Sequence, residues 1–220
     1  MGRLVVFEGI DGSGKSTQFQ LLRDKLAALR VDFRDIAFPQ YVEQSSALIK
    51  MYLSGEFGHD PEAVNAYAAS SFYAVDRFAS FAKNWGDYYR GGGTIITDRY
   101  TQSNAIHQGS KLSGAERIEY FDWLYSYEFK LLALPRPDLV LYMDIPVSVS
   151  VKRLQTRARQ TGTRADIHEL DEAYLAKCRE CGLEAAEYYG WTVIPCVKDG
   201  RIRTKAELHN EISRYWSTLK

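Results

Sequence analysis

The sequence predicts an α/β chain in three layers, a five-stranded parallel sheet with helices on both faces. Three observations lead there. Short apolar runs alternate with helix-period stretches along most of the 220 residues, the signature of βα units joined by right-handed crossovers. The first such unit carries a glycine-rich turn between its strand and its helix. Chemistry-bearing residues recur just past three predicted strands, at Asp11, Phe38-Pro39 and Asp98-Arg99, and open α/β sheets bind ligands at those carboxyl ends.

The elements follow in order. Residues 3–8 form the first strand around Leu4-Val5-Val6-Phe7, and 15–30 a helix with Phe19, Leu22, Leu26 and Leu29 at helical spacing. Residues 32–38 read as a second strand stopped by Pro39, which has no N–H for the ladder. A short helix is expected at 44–52 and a loop at 55–60. Pro61 suits a first helical position behind an Asp60 cap, so a long helix is expected at 61–83, then a tyrosine- and glycine-rich loop at 87–93. Thr94-Ile95-Ile96-Thr97 is a buried-type strand that ends in Asp98-Arg99-Tyr100. A helix at 114–132, the stiff bend Leu134-Pro135-Arg136-Pro137 and a strand at 138–144 come next. A helix at 146–159 turns basic in its C-terminal half; residues 160–163 read as a polar break, and a further helix runs from 166 or 167 to 189. A fifth strand at 191–197 and a helix at 204–219 close the chain, with Thr204 and Glu207 at capping-box spacing.

Residues Gly9-Ile10-Asp11-Gly12-Ser13-Gly14-Lys15-Ser16-Thr17 fit G-x-x-x-x-G-K-[ST] between strand and helix, the setting that separates a phosphate-binding loop from a chance glycine-rich turn. Glycines let the backbone curl around an anion, and the curled N–H groups act with the positive end of the following helix. Lys15 adds a cation for the β- and γ-phosphates, and Ser16 a hydroxyl for Mg²⁺. Asp98, closing an apolar strand, is a second candidate for holding Mg²⁺; its alternative is a helix cap. Arg99 beside it can grip a phosphate bidentately or form a surface salt bridge.

Bulk composition excludes several classes. With 28 basic and 28 acidic residues the formal net charge is zero, so nothing electrostatic points to nucleic acid or a membrane surface. No run of 18 apolar residues occurs, and the N-terminus enters a strand with no signal-peptide pattern. A single domain over 1–220 in the cytoplasm is therefore expected. Cys178, Cys181 and Cys196 fit free thiols in a reducing compartment, and the lone C-x-x-C lacks the second ligand pair that zinc needs.

Two further features stay open on residues alone. Arg153, Arg157, Arg159 and Arg164 read either as a solvated helix face or as a lid over about 153–168 that brings a guanidinium to a transferring phosphoryl group. Tyr73 and Arg77, four apart, share a helix face. With Phe72 they are either core or a platform for a nucleobase.

Together these residues resemble the thymidylate kinases, P-loop nucleoside monophosphate kinases, over nearly the whole chain. The resemblance rests on 7–18, Phe38-Pro39, Phe72-Tyr73-Ala74-Val75-Asp76-Arg77, Asp98-Arg99-Tyr100 with Ser103, Leu134-Pro135-Arg136-Pro137-Asp138-Leu139-Val140, and the arginine-rich segment. It implies a P-loop kinase fold and transfer of the γ-phosphate of ATP to dTMP, giving dTDP for dTTP synthesis, with Mg²⁺, in a homodimer. It implies that Lys15 and loop 9–17 hold ATP, and that Asp11 lies near the acceptor sugar and phosphate. Tyr73 (or Phe72, one residue away) stacks on thymine, Arg77 donates to a thymine carbonyl, and Arg99 binds the acceptor phosphate. Phe38, Pro39 and Ser103 belong to the acceptor site, Gln108 stands at a polar thymine contact, and His168 near the deoxyribose.

The sequence also departs from that pattern. Gln40-Tyr41 follows Pro39 where many members carry a phosphate-gripping arginine, and residues 11–13 include no arginine. The resemblance then assigns the catalytic arginine to the basic segment, with Arg157, Arg159 and Arg164 as candidates. The rival readings are a deoxynucleoside kinase, where Glu-Arg-Ser is usual in place of this Asp-Arg-Tyr, another nucleoside monophosphate kinase, and a nucleotide-dependent switch or binding module.

Overall fold

The computed structural model describes residues 2–58, 60, 63–161 and 171–219. Its centre is β1 (Arg3–Glu8), buried from Leu4 onward. A strand covered on both faces must be apolar throughout, and Leu4-Val5-Val6-Phe7 meets that requirement. Around it stand β2 (Phe33–Ala37), β3 (Thr94–Asp98), β4 (Leu139–Asp144) and β5 (Thr192–Pro195), in the order β2-β3-β1-β4-β5 with every pairing parallel. Phe7 is level with Asp98 and Leu141, and Asp98 with Ala37. The carboxyl ends of β1, β2 and β3 therefore open onto one rim.

Helices α1 (Lys15–Ala28), α2 (Ala47–Leu53) and α3 (Ala66–Ser80) precede β3. The long helix expected from residue 61 begins later, at Ala66. Asn65 caps it, its side chain accepting from the Ala68 N–H and satisfying an otherwise orphaned donor; Pro61 lies outside the described residues. A 3₁₀ turn at Gln44–Ser46 leads into α2.

The loop expected at 87–93 is largely helical. After α3 the chain makes a π-helical turn, Phe81–Trp85, and continues as α4 (Gly86–Arg90). Phe81, Trp85 and Tyr89 are spaced by four and pack edge-to-face at 4.7 and 6.0 Å, so burial of aromatic area outweighs the loop propensity of the adjacent glycines.

Beyond β3 come α5 (Thr101–His107) and α6 (Gly114–Tyr125). The expected helix to 132 ends in a second π-helical turn, Ser126–Leu131. Helix α7 (Val147–Thr161) passes through the expected start of the polar break at 160. Helix α8 (Glu172–Tyr189) is capped by Asp171.

β5 is shorter than expected. Past Pro195 the chain leaves the sheet for a hairpin, β6 (Val197–Lys198) with β7 (Arg201–Ile202). Asp199 (φ 51°) and Gly200 (φ 74°) form its two-residue turn, as an Asp-Gly pair favours. Helix α9 (Lys205–Thr218) starts at Thr204 with both capping-box bonds present and packs on α1. No helix among the described residues is long and apolar enough to cross a membrane.

Candidate active site

The loop after β1 turns on Gly12 (φ 73°) and Gly14 (φ 96°), left-handed positions that disfavour a Cβ. It is held from behind by α7. The Ser150 hydroxyl donates to the Asp11 carbonyl at 2.5 Å, and Arg153 Nη1 donates to the carbonyls of Gly12 and Ser13 at 3.4 and 3.1 Å. These bonds fix how the loop's peptide planes are turned. Arg153 is thereby anchored at the loop rather than on a free segment. Lys15 is 6 % exposed and curls over its own loop, Nζ lying 3.5 Å from the Ile10 carbonyl and 3.2 Å from Asp11 Oδ1. Gly9 directly follows β1, where a Cβ would come within 2.7 Å of the Met143 carbonyl. Ile10 is buried, and Thr17 stands in the first turn of α1 beside Ser16.

Asp98 closes β3, and its Oδ2 accepts from the Ser16 hydroxyl at 2.7 Å. Its Oδ1 is buried with no hydrogen-bond partner among the described residues. A hydroxyl beside an unpaired carboxylate oxygen suits a hard cation such as Mg²⁺, which keeps several waters and takes its remaining ligands from phosphates. Among the described residues no group of three or more His, Cys, Asp or Glu could hold a metal by itself.

Arg99 has a positive φ of 70°, a strained conformation for a residue with a Cβ. Three partners hold its side chain: Nη2 donates to Asp11 Oδ1, and Nη1 to Ser103 Oγ at 3.2 Å and His107 Nε2 at 3.1 Å. Burial pushes the Asp11 carboxyl up, but Arg99 and Lys15 together hold it far below its ordinary range. Burial pushes His107 down, and the Arg99 charge adds to this, to about 3. An arginine only donates, so neutral His107 presents its Nε2 lone pair to Arg99. Its proton therefore sits on Nδ1, 3.2 Å from the Tyr174 hydroxyl. Beneath Arg99, Glu8 accepts from the Tyr100 N–H at 2.9 Å and from the Ser103 hydroxyl, and burial raises its pKa.

A cavity of about 550 Å³ opens from this cluster. Asp11, Phe38, Pro39, Tyr73, Arg77, Arg99, Ser103 and Gln108 all line it, so the structure brings most of the expected acceptor residues together. Phe72 does not line it; its ring packs on Phe57 and Tyr52 at 5.6 and 6.4 Å, because a one-residue step turns a side chain about 100° around a helix. Phe38 is packed on Tyr100 and joined to Pro39 by a cis peptide bond. Gln40, at the missing arginine, donates from Nε2 to the Ala37 carbonyl at 2.6 Å and is not part of the cavity wall. Arg157 and Arg159 lie on the last turns of α7; Arg164 and His168 are outside the described residues.

Several residues of the site were not singled out from sequence. Asp76 accepts from the Gln40 N–H at 2.8 Å and the Ser45 hydroxyl at 2.5 Å, pinning the chain after Pro39 to α3. Its signal was spacing, since Tyr73, Asp76 and Arg77 fall on one face. Asn104, His107 and Tyr174 line the cavity from α5 and α8, and Glu128 lies behind it on Arg77. The three cysteines are free and buried, and Cys178 Sγ lies 3.5 Å from His107 Nδ1.

The family model "Thymidylate kinase" matches residues 7–205. The chain belongs to the thymidylate kinase family. A thymidylate kinase of Mycobacterium tuberculosis strain H37Rv is 31% identical over 205 residues, covering 90% of this chain and 94% of the relative. A probable thymidylate kinase of Pyrobaculum aerophilum is 29% identical over 190 residues, covering 86% of each. The solved structure of a thymidylate kinase from Candida albicans superposes with a TM-score of 0.71 at 24% identity, over 99% of this chain and 92% of that one, a likeness of fold. The chain is thus a kinase, with the family's ATP-dependent phosphorylation of dTMP to dTDP.

Proposed function

We propose that the cleft aligns the 5′-phosphate of dTMP with the γ-phosphate of ATP for direct in-line transfer. One observation carries this reading. Asp11 bonds both Lys15, on the nucleotide-binding loop, and Arg99, on the rim of the acceptor cavity. A single carboxylate therefore joins the two phosphate-binding cations and sets the two phosphate sites side by side. The attacking group is already a phosphate oxygen, so no general base is required, and catalysis reduces to positioning and charge neutralisation.

In this reading loop 9–17 and Lys15 hold the ATP phosphates, and Arg99 grips the acceptor phosphate. Tyr73 stacks on the base, Arg77 donates to its carbonyl, and Gln108 Oε1, buried without a partner among the described residues, meets its N3–H. Asp11 and Asp98 already balance Lys15 and Arg99, leaving no surplus positive charge for two phosphorylated substrates. Ser16 and Asp98 would hold Mg²⁺, which supplies charge neutralisation at the phosphates when bound. One arginine among Arg157, Arg159 and Arg164 supplies the rest at the transferring group.

A homodimer is part of the proposal, supported by the resemblance and by Leu48 on α2 with Val75 and Phe78 on α3, 42–46% exposed on the two helices that also carry the cavity residues Tyr52, Tyr73 and Arg77. ATP as co-substrate and the free thiols favour the cytoplasm.

ADP release with ATP and Mg²⁺, measured against dTMP, dUMP, dCMP, dAMP, dGMP and thymidine, tests the reading. Strong preference for dTMP is expected. Activity on thymidine but not on dTMP would move the protein to the nucleoside kinases. No acceptor-stimulated release would favour a binding module.

A further inference from the structure

Glu128 is fully buried in the π-helical turn after α6, away from the phosphate chemistry. Its carboxylate receives four hydrogen bonds from two other elements. From α3, Arg77 gives Nε to Oε2 at 2.7 Å and Nη2 to Oε1 at 2.5 Å. From α5, Thr101 Oγ1 donates to Oε2 at 2.7 Å and Asn104 Nδ2 to Oε1 at 3.3 Å. Arg77 and Asn104 both line the acceptor cavity; Glu128 does not.

These bonds fix what the two residues can offer a ligand. Arg77 has five N–H groups; Glu128 takes two and the Tyr100 carbonyl a third, at 3.3 Å. The remaining N–H groups belong to a guanidinium, itself 2 % exposed, on the cavity wall. Both Nδ2 hydrogens of Asn104 are taken, by Glu128 and by the Ser70 carbonyl at 3.1 Å, so its amide cannot flip and its Oδ1 remains an acceptor. A 4-keto pyrimidine shows a carbonyl at C4 and an N–H at N3; a 4-amino pyrimidine inverts both. Donors from Arg77 with an acceptor beside them, the fixed Asn104 Oδ1 or Gln108 Oε1, match the keto pattern only.

We propose that Glu128 is a positioning residue that sets the polarity of the base end of the acceptor site, and with it the preference for 4-keto over 4-amino pyrimidine nucleotides. This rests on the reading that Arg77 faces the acceptor base. Without the carboxylate, the guanidinium loses the clamp on its Nε edge, and the Asn104 amide, then held by the Ser70 carbonyl alone, can turn a donor toward the cavity.

Steady-state kinetics on dTMP, dUMP and dCMP at saturating ATP test it, with wild type, Glu128→Gln, Glu128→Asp and Arg77→Ala compared. Glu128→Gln is expected to raise KM for dTMP about tenfold while kcat and KM for ATP hold. Its ratio of kcat/KM for dTMP over dCMP should fall by about tenfold or more. Glu128→Asp, which keeps the charge and serves if the glutamine variant does not fold, should give an intermediate ratio. A ratio equal to wild type in both folded variants, whatever happens to stability or to rates on both nucleotides together, overturns the proposal. If Arg77→Ala lowers the ratio and the Glu128 variants do not, the positioning claim alone fails. If Arg77→Ala changes neither KM nor ratio, the reading of the base site fails with it.

Discussion

The Ser16 hydroxyl donates to Asp98 Oδ2 at 2.7 Å, tying the first turn of α1 to the end of β3 across the nucleotide-binding loop. The other oxygen of Asp98 is buried and unpaired among the described residues. Asp98→Ala is therefore expected to lower kcat by about a hundredfold or more, with KM for dTMP little changed and the Mg²⁺ requirement raised. Ser16→Ala should act on the same term, so the double variant loses less than the sum of the singles. A Mg²⁺ titration of the four proteins decides it; an unchanged requirement leaves Asp98 only a structural tie to Ser16.

Arg99 lies on the cavity wall beside Asp11, and Gln40 makes no contribution there. A charged hydrogen bond contributes about 1.5–3 kcal/mol. Arg99→Ala should therefore raise KM for dTMP by about ten- to a hundredfold, with KM for ATP far less affected. Equal effects on both substrates would assign Arg99 to holding Asp11 and Lys15 instead.

His107 gives a pH signature. Its pKa falls from 6.5 when unfolded to about 3 when folded, so below pH 6.5 the unfolded chain takes up a proton that the native state refuses. The native state is thus favoured fully above 6.5, and loses up to about 1.4 kcal/mol per pH unit as pH falls toward 3. His107→Gln, which retains an acceptor for Arg99, lacks this term. Urea unfolding at pH 7 and pH 5 should show wild type losing more stability than the variant. Equal losses would mean that the ring protonates in the folded state near its ordinary pKa.

Single alanine changes at Arg157, Arg159 and Arg164 should show one dominant loss of kcat. If none exceeds tenfold, about 1.4 kcal/mol, the basic segment does not supply the catalytic charge.

Gly182, inside α8, lies against the Tyr142 ring of β4; an added Cβ would fall 2.7 Å from Tyr142 Cζ. Tyr142 is buried in the sheet and cannot withdraw. Gly182→Ala should lower stability by about 1–3 kcal/mol, despite the better helix propensity of alanine, with KM values intact. A thermal melt no lower than wild type would show that α8 can shift.

The sequence by itself determined the parallel sheet, the nucleotide-binding loop and the strand-end residues Asp11, Asp98 and Arg99, because those signals are local. Apolar runs, glycine positions and a motif between strand and helix act over about ten residues. The capping box at Thr204 was legible for the same reason. Tertiary structure decided the rest. That α3 continues through Trp85 into α4 depended on aromatic burial against the sheet. Which of Phe72 and Tyr73 enters the cavity depended on how α3 is rotated in its packing. The Glu128 clamp joins residues 51 positions apart, and the His107 contact with Arg99 depends on how α5 is seated beside the end of β3. No local pattern encodes such pairings, because they exist only once the separate elements have packed.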